Sequence, residues 1–198
     1  LGALLQHERQ DVDGAEKAYR AAIEADPGDA RAHHNLGILL ENERKDVDSA
    51  EKAYRAAIEA DPGDAWAHHN LGHLLQYERQ DVDGAEKAYL AAIEVDLGCA
   101  NAYSNFGTLL EERGQFGAAE KCYRRAIQAN PEIADYHWNL GDLLENKKKD
   151  LQGAEAAYSA AVAADPARGR RSTLGRSTCA DGPGGAHKQR RKGEGGGR

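Results

Sequence analysis

An all-α solenoid, built from antiparallel helix pairs stacked in a row, is the fold class this sequence predicts, and three observations predict it. Residues 11–37 and 46–72 are the same text written twice, 35 residues apart, with two differences in 27 positions (Gly14 against Ser49, Arg31 against Trp66). Gly2, Gly37, Gly72, Gly107 and Gly141, each after Leu or Phe, recur at 35, 35, 35 and 34 residues. Within each copy the apolar residues fall three and four apart, as in Leu36, Leu39 and Leu40 or Ala50, Ala53, Tyr54, Ala57 and Ile58, which is helical periodicity. A fixed period of roughly 20–50 residues marks a repeat array, in which each unit buries its apolar face only against its neighbours.

The elements follow in order. Residues 1–29 form a truncated first unit: Leu1 and Gly2 stand inside what should be a helix, and the chain contains no methionine, so it reads as a fragment. Units at approximately 30–64, 65–99, 100–133 and 134–166 bring the array to about 4.5 repeats. In the second unit Asp26-Pro27-Gly28-Asp29 breaks one helix and offers Asp29 as N-cap to the next. Its two helices are expected over 30–42 and 48–61, both rich in Ala, Leu, Glu, Lys and Arg. The third repeats this text through 81–96 but closes on Leu97 where Pro27, Pro62, Pro131 and Pro166 close the others. The fourth joins its helices through Arg113-Gly114-Gln115, one residue shorter than Arg44-Lys45-Asp46, and its second helix lies in 117–131. The fifth ends in 153–166. A mid-helix glycine costs about 1 kcal/mol against alanine. Its recurrence predicts a close helix approach there, with Ala15, Ala50, Ala85, Ala119 and Ala154 opposite. Tyr19, Tyr54, Tyr89, Tyr123 and Tyr158, four beyond each alanine, are core residues whose hydroxyls reach the edge.

Leu-Gly, then Ala-x3-Tyr, then Pro, on a period near 34, resembles the tetratricopeptide repeat across residues 1–166. The resemblance implies a right-handed superhelix whose first helices line a concave groove, with extended peptides as ligands. Two departures stand out. Four of the five units carry the extra inter-helix residue, and the tryptophan of the family, three before the Leu, is His33, His68, Tyr103 and His137.

Carried over by position, the groove residues include Asn35, Asn70, Asn105 and Asn139, two before each Gly. An Asn amide both donates and accepts, so a ladder of them grips a peptide backbone in either sense. It is similar to the asparagine ladder in the superhelix of O-linked N-acetylglucosamine transferases. Beside it stand His34, His69, His73, Tyr77, Trp66 and Trp138, the two tryptophans being the natural anchors for a partner. Family members that clamp a chaperone's C-terminal carboxylate use Lys and Arg here; Arg31 is the one cation at these positions, which argues against that specificity. Carboxylates gather in the last two units, Glu111, Glu112 and Glu145 among them, which suits a basic or mixed peptide. His69 and His73 have the i, i+4 spacing of a metal pair, but no Cys or placed carboxylate completes a site, and none is expected.

Composition bounds the rest. No run of about 18 apolar residues exists to span a membrane. Three isolated cysteines, Cys99, Cys122 and Cys179, give no disulfide or metal spacing and favour a reducing, intracellular (cytoplasmic) setting. Residues 1–166 hold 17 Lys+Arg against 31 Asp+Glu; residues 167–198 hold nine against two and are Gly-rich, an expected disordered basic tail and at most a weak nucleic-acid contact. Neither a phosphate loop nor a nucleophile with a matched base is present, so no enzyme activity and no cofactor are expected. The expected function is a protein-interaction scaffold. The alternative is the substrate-recruiting arm of a larger enzyme such as a glycosyltransferase, and uncapped ends would allow a homo-oligomer.

Overall fold

The structure, a computed structural model, describes residues 11–166. The start of the first unit and the basic 167–198 tail, with its expected disorder, lie outside the described residues. Among the described residues there are nine α-helices and no strand: α1 (Val12–Ala25), α2 (Ala30–Leu39), α3 (Val47–Ala60), α4 (Ala65–Leu74), α5 (Val82–Val95), α6 (Ala100–Glu112), α7 (Phe116–Ala129), α8 (Ala134–Leu143) and α9 (Leu151–Ala164). Each helix packs on its sequence neighbours, most extensively within the pairs α2–α3, α4–α5, α6–α7 and α8–α9.

Local chemistry starts and stops these helices. Asp11, Asp29, Asp46, Asp64, Asp81 and Asp150 are N-caps whose carboxylates accept backbone N–H groups of the first turn, at 2.8–3.1 Å. Such a cap contributes about 1 kcal/mol. Between pairs, Asp26, Asp61, Asp96 and Asn130 fold the turn by accepting the N–H two residues on. His33, His68 and His137 donate from Nε2 to the carbonyls of Pro27, Pro62 and Pro131, at 2.9–3.1 Å. These residues, standing where the family has tryptophan, therefore staple the turn.

The extra inter-helix residue has a definite form. α2, α4 and α8 each widen into a five-residue π-helical turn, Leu40–Arg44, Leu75–Arg79 and Leu144–Lys148. A left-handed residue follows each turn, Lys45, Gln80 and Lys149, with φ of 56°, 57° and 59°. α6, one residue shorter at its exit, stays α-helical to Glu112 and turns on Gly114, φ 74°. Both routes land on the same carbonyl: Leu40 accepts from Asp46 at 2.9 Å, and Leu110 from Gln115 at 2.8 Å. The surplus residue is absorbed between two fixed points, so the next helix starts in register.

The recurrent glycine faces a tyrosine ring, a correction to the expected alanine. A Cβ on Gly37, Gly72, Gly107 or Gly141 would stand 2.4–2.7 Å from ring carbons of Tyr54, Tyr89, Tyr123 or Tyr158. Tyr54, Tyr89 and Tyr123 are buried with Leu39, Leu74, Leu109 and Leu143 in one core that runs the length of the stack. Ala50, Ala85 and Ala119 belong to that core without being the glycine's nearest partner.

Ion pairs tie one pair to the next along the edge of the second helices. Arg44 reaches Asp13 and Glu16 of α1, Arg79 reaches Asp48 and Glu51 of α3, Arg113 reaches Asp83 and Glu86 of α5, and Lys148 reaches Glu120 of α7. The aspartates are well exposed and Glu16, Glu51 and Glu120 more covered, and solvent screening keeps the contribution of each such pair to stability small.

Candidate functional site

Successive first helices touch directly, α4 with α6 and α6 with α8, whereas successive second helices stay further apart. The stack therefore curves toward α2, α4, α6 and α8, whose open sides form its inner face. Two open clefts, of about 570 and 350 Å³, lie on the outer side between second helices. The larger is lined by Arg55, Ile58 and Lys87 over a floor of Leu71 and Leu75.

The inner face carries a line of hydrogen bonds across the pairs. Asn105 donates from Nδ2 to His69 Nε2 at 3.0 Å, and His69 Nδ1 stands 3.0 Å from Asn70 Oδ1. Asn70 in turn donates to His34 Nε2 at 2.9 Å, and His34 Nδ1 stands 3.0 Å from Asp64 Oδ2. A carbonyl or carboxylate oxygen accepts only, so both imidazoles carry their proton on Nδ1, and both Nε2 atoms accept from an amide. The line runs in one direction, from Asn105 to the carboxylate that also caps α4. Asn139 continues the pattern by donating to Ser104 Oγ at 3.2 Å. Cys99 occupies the position equivalent to Asp64, and a thiol is a weak acceptor, which leaves His69 Nδ1 to Asn70. Burial, which outweighs the Asn70 hydrogen bond, lowers the His69 pKa to about 4.

A second row runs parallel, from the core tyrosines to the residue four beyond each glycine. Tyr54 donates to Glu41 at 2.7 Å, Tyr89 to Gln76 at 2.9 Å, Tyr123 to Glu111 at 3.2 Å and Tyr158 to Glu145 at 2.8 Å. His73 joins this row at Glu41, 3.3 Å from Nδ1, with its ring 4.8 Å from that of Tyr77. Against the desolvation of Glu41, the His73 and Tyr54 hydrogen bonds hold its carboxyl below the usual range. Gln76 donates to Glu112 at 3.1 Å. Tyr158 also contacts Asp142 at 2.7 Å, so two carboxylates converge on a single hydroxyl proton. Asp142 is exposed as a residue, yet desolvation of its carboxyl and the nearby Glu145 charge raise its pKa against the Tyr158 hydrogen bond.

The sequence-predicted site residues are thus placed as follows. Asn70, Asn105, Asn139, His34 and His69 come together in the first row, with amides already engaged by the neighbouring pair rather than open on both sides. His69 and His73 diverge, one to asparagines and the other to Glu41. Trp66 is 52% exposed, edge-on to His69 at 5.7 Å. Trp138 is half-buried, its ring tilted by 42° to that of Tyr158 at 5.0 Å. Asn35 sits half-buried on α2, and its neighbour on the preceding side falls in residues 1–10, outside the described residues. Sequence reasoning missed Asp64 and the tyrosine hydroxyls as inner-face groups. The fixed Tyr-to-Glu/Gln spacing of 12 or 13 residues in every described pair was the available signal.

The sequence matches the tetratricopeptide repeat profile over residues 3–65 and 104–168, and a second profile of the same description over 53–87. The chain belongs to the tetratricopeptide repeat family. No curated protein matches it in sequence. Among solved structures, this repeat protein is similar to MamA, at 21% identity and TM-score 0.71, covering 86% of this chain and 97% of that one. It is similar to PilF of Pseudomonas aeruginosa at 23% identity and TM-score 0.72, covering 82% and 72%. It is also similar to YrrB, a repeat protein with an unusual peptide-binding site, at 20% identity and TM-score 0.65, covering 87% of each chain. These likenesses concern the fold. No helix among the described residues is long and apolar enough to cross a membrane.

Proposed function

We propose that this solenoid holds an extended segment of another protein along the inner face of α2, α4, α6 and α8. The observation that carries the reading is Trp66, a large aromatic left 52% exposed beside a row of side chains already fixed by hydrogen bonds. An exposed aromatic on a pre-ordered polar surface is the composition of a binding hot spot, because little conformational freedom is left to lose on association. YrrB, of the same fold, is described as having a peptide-binding site, which supports the class of ligand. The spare hydrogen-bonding capacity of Asn105 and Asn139, with Tyr77 and Trp138, completes the surface.

The test is a displayed library of unstructured peptides, selected on the natural chain and then measured against variants. Trp66→Ala should lower affinity about tenfold or more while leaving the melting temperature unchanged, since the ring is largely in water. Asn70→Ala and Asn105→Ala are poorer probes, because each also removes a hydrogen bond between pairs. Binding that survives Trp66→Ala but is lost with Arg55→Ala and Lys87→Ala would place the partner in the outer clefts and end this reading.

A further inference from the structure

The cations and anions of this chain are not distributed evenly between its two faces. Arg44, Arg79, Arg113 and Lys148, at the inter-helix turns, are each bonded to carboxylates of a second helix. Glu111, Glu112, Asp142 and Glu145 on the inner face have no lysine or arginine partner among the described residues; tyrosine hydroxyls and the Gln76 amide are their donors. At the last pair the shortfall is structural: Tyr158 has one proton to give and two carboxylates within 2.8 Å of its oxygen. The Trp138 ring, 5.0 Å from that of Tyr158, adds an aromatic surface beside them. A planar guanidinium or an ammonium satisfies both kinds of neighbour, the carboxylates by charge-assisted hydrogen bonds and the rings through their π faces.

We propose that the acidic inner face of the last two helix pairs is a docking surface for this chain's own basic stretch, residues 188–192. The inference rests on the reading of the inner face as a peptide-holding surface and names one occupant for it. The stretch reads Lys-Gln-Arg-Arg-Lys within a segment of nine basic and two acidic residues. That segment follows α9 directly. α9 runs antiparallel to α8, so the chain leaves Pro166 beside the start of α8, and Asp142 lies about 12 Å further along that helix, at about 1.5 Å per residue. The 22 residues from Pro166 to Lys188 span about 26 Å as a flexible coil and far more when extended, so the reach is sufficient. A tether of this length holds the stretch near an effective concentration on the order of millimolar, above that of a free basic peptide. The tail then occupies the surface in the absence of a partner, and a partner must displace it.

The experiment is fluorescence-anisotropy titration of a labelled peptide with the sequence of residues 186–198, at low salt. It compares the natural full chain with the full chain carrying Lys188→Ala, Arg190→Ala, Arg191→Ala and Lys192→Ala. The four-alanine chain should bind the peptide at least about tenfold more tightly, because its surface is vacant. Adding Asp142→Asn and Glu145→Gln, exposed substitutions that keep an acceptor for Tyr158, should then abolish that binding without moving the melting curve. Equal affinity for both chains, lost from both on the carboxylate substitutions, overturns the internal docking but leaves the inner face a peptide surface. Binding indifferent to Asp142 and Glu145 overturns the docking of the stretch at this surface, while the Trp66→Ala measurement separately decides the inner face as a peptide surface. A natural chain that sediments as a concentration-dependent dimer, dissolved by the four alanines, puts the stretch on a second copy and overturns the internal assignment.

Discussion

Lowering the pH from 7 to 4 attacks the inner hydrogen-bond line at one identifiable atom. His69 accepts from Asn105 at Nε2 and donates to Asn70 from Nδ1, so a second proton on the ring turns the Asn105 contact into donor against donor. Asn70 cannot answer the new proton, because its carbonyl already faces His69 Nδ1 and its amide serves His34, so only a turn of the Asn105 amide would bring an acceptor to Nε2. Burial is the first cause of the resistance, and the nearby His73 and His34 act in the same direction; Glu41 opposes them. Trp66 and Tyr89 close the ring in from the sides. The folded pKa, about 4, lies below the unfolded value of 6.5. The sign follows from linkage: the contribution is fully present above pH 6.5 and is lost as pH falls toward 4, since the unfolded chain takes up the proton first. Over that window the shift corresponds to about 3 kcal/mol.

His69→Ser is the reference variant, because Ser104 already fills the equivalent place and accepts from Asn139. Denaturant unfolding followed by circular dichroism at pH 7, 6, 5 and 4 gives stability against pH for both chains, and groups common to both cancel in the difference. The natural chain should lose about 3 kcal/mol more than His69→Ser between pH 7 and pH 4. The variant starts lower at pH 7, having lost the ring's contacts, but its curve is flatter. Parallel curves would show that His69 titrates normally and that the line of bonds does not hold it neutral.

Three further outcomes are expected. Gly72→Ala places a methyl 2.7 Å from the Tyr89 ring and should destabilise by about 2 kcal/mol despite the better helix propensity of alanine, read as a drop in denaturation midpoint; an unchanged midpoint would refute the glycine–ring account. Lys45→Gly, at φ 56°, should stabilise by up to about 1 kcal/mol in the same assay, as the left-handed conformation strains any side chain. Burial raises the Cys122 thiol to about 11 and pushes Cys99 up as well, so iodoacetamide at pH 8 should label both far more slowly in the native than in the denatured chain, as resolved by peptide mass mapping.

The sequence by itself determined what depends on near neighbours in the chain. The helix start at Asp29, the breaks at the Asp-Pro-Gly-Asp turns, the period of the array and the burial of Tyr54, Tyr89 and Tyr123 are legible because i to i+3 and i+4 relations lie within a few residues of text. Tertiary structure decided what depends on how one pair rests on the next. Only stacking shows that the glycines face tyrosine rings rather than alanines, because that distance is set by the crossing of two helices. The extra residue could be counted in the sequence, but its form, a π-helical turn closed by a left-handed residue, follows from the need to return to the same leucine carbonyl. The asparagines read as a ladder open to a ligand, yet their amides bond to residues 35 or 36 positions back. The same stacking sorts the charges, bringing arginines to the carboxylates of the second helices and leaving those of the inner face to tyrosine hydroxyls. Sequence fixes the composition of each rung, while the contact between rungs decides which polar groups are satisfied and which remain available to another molecule.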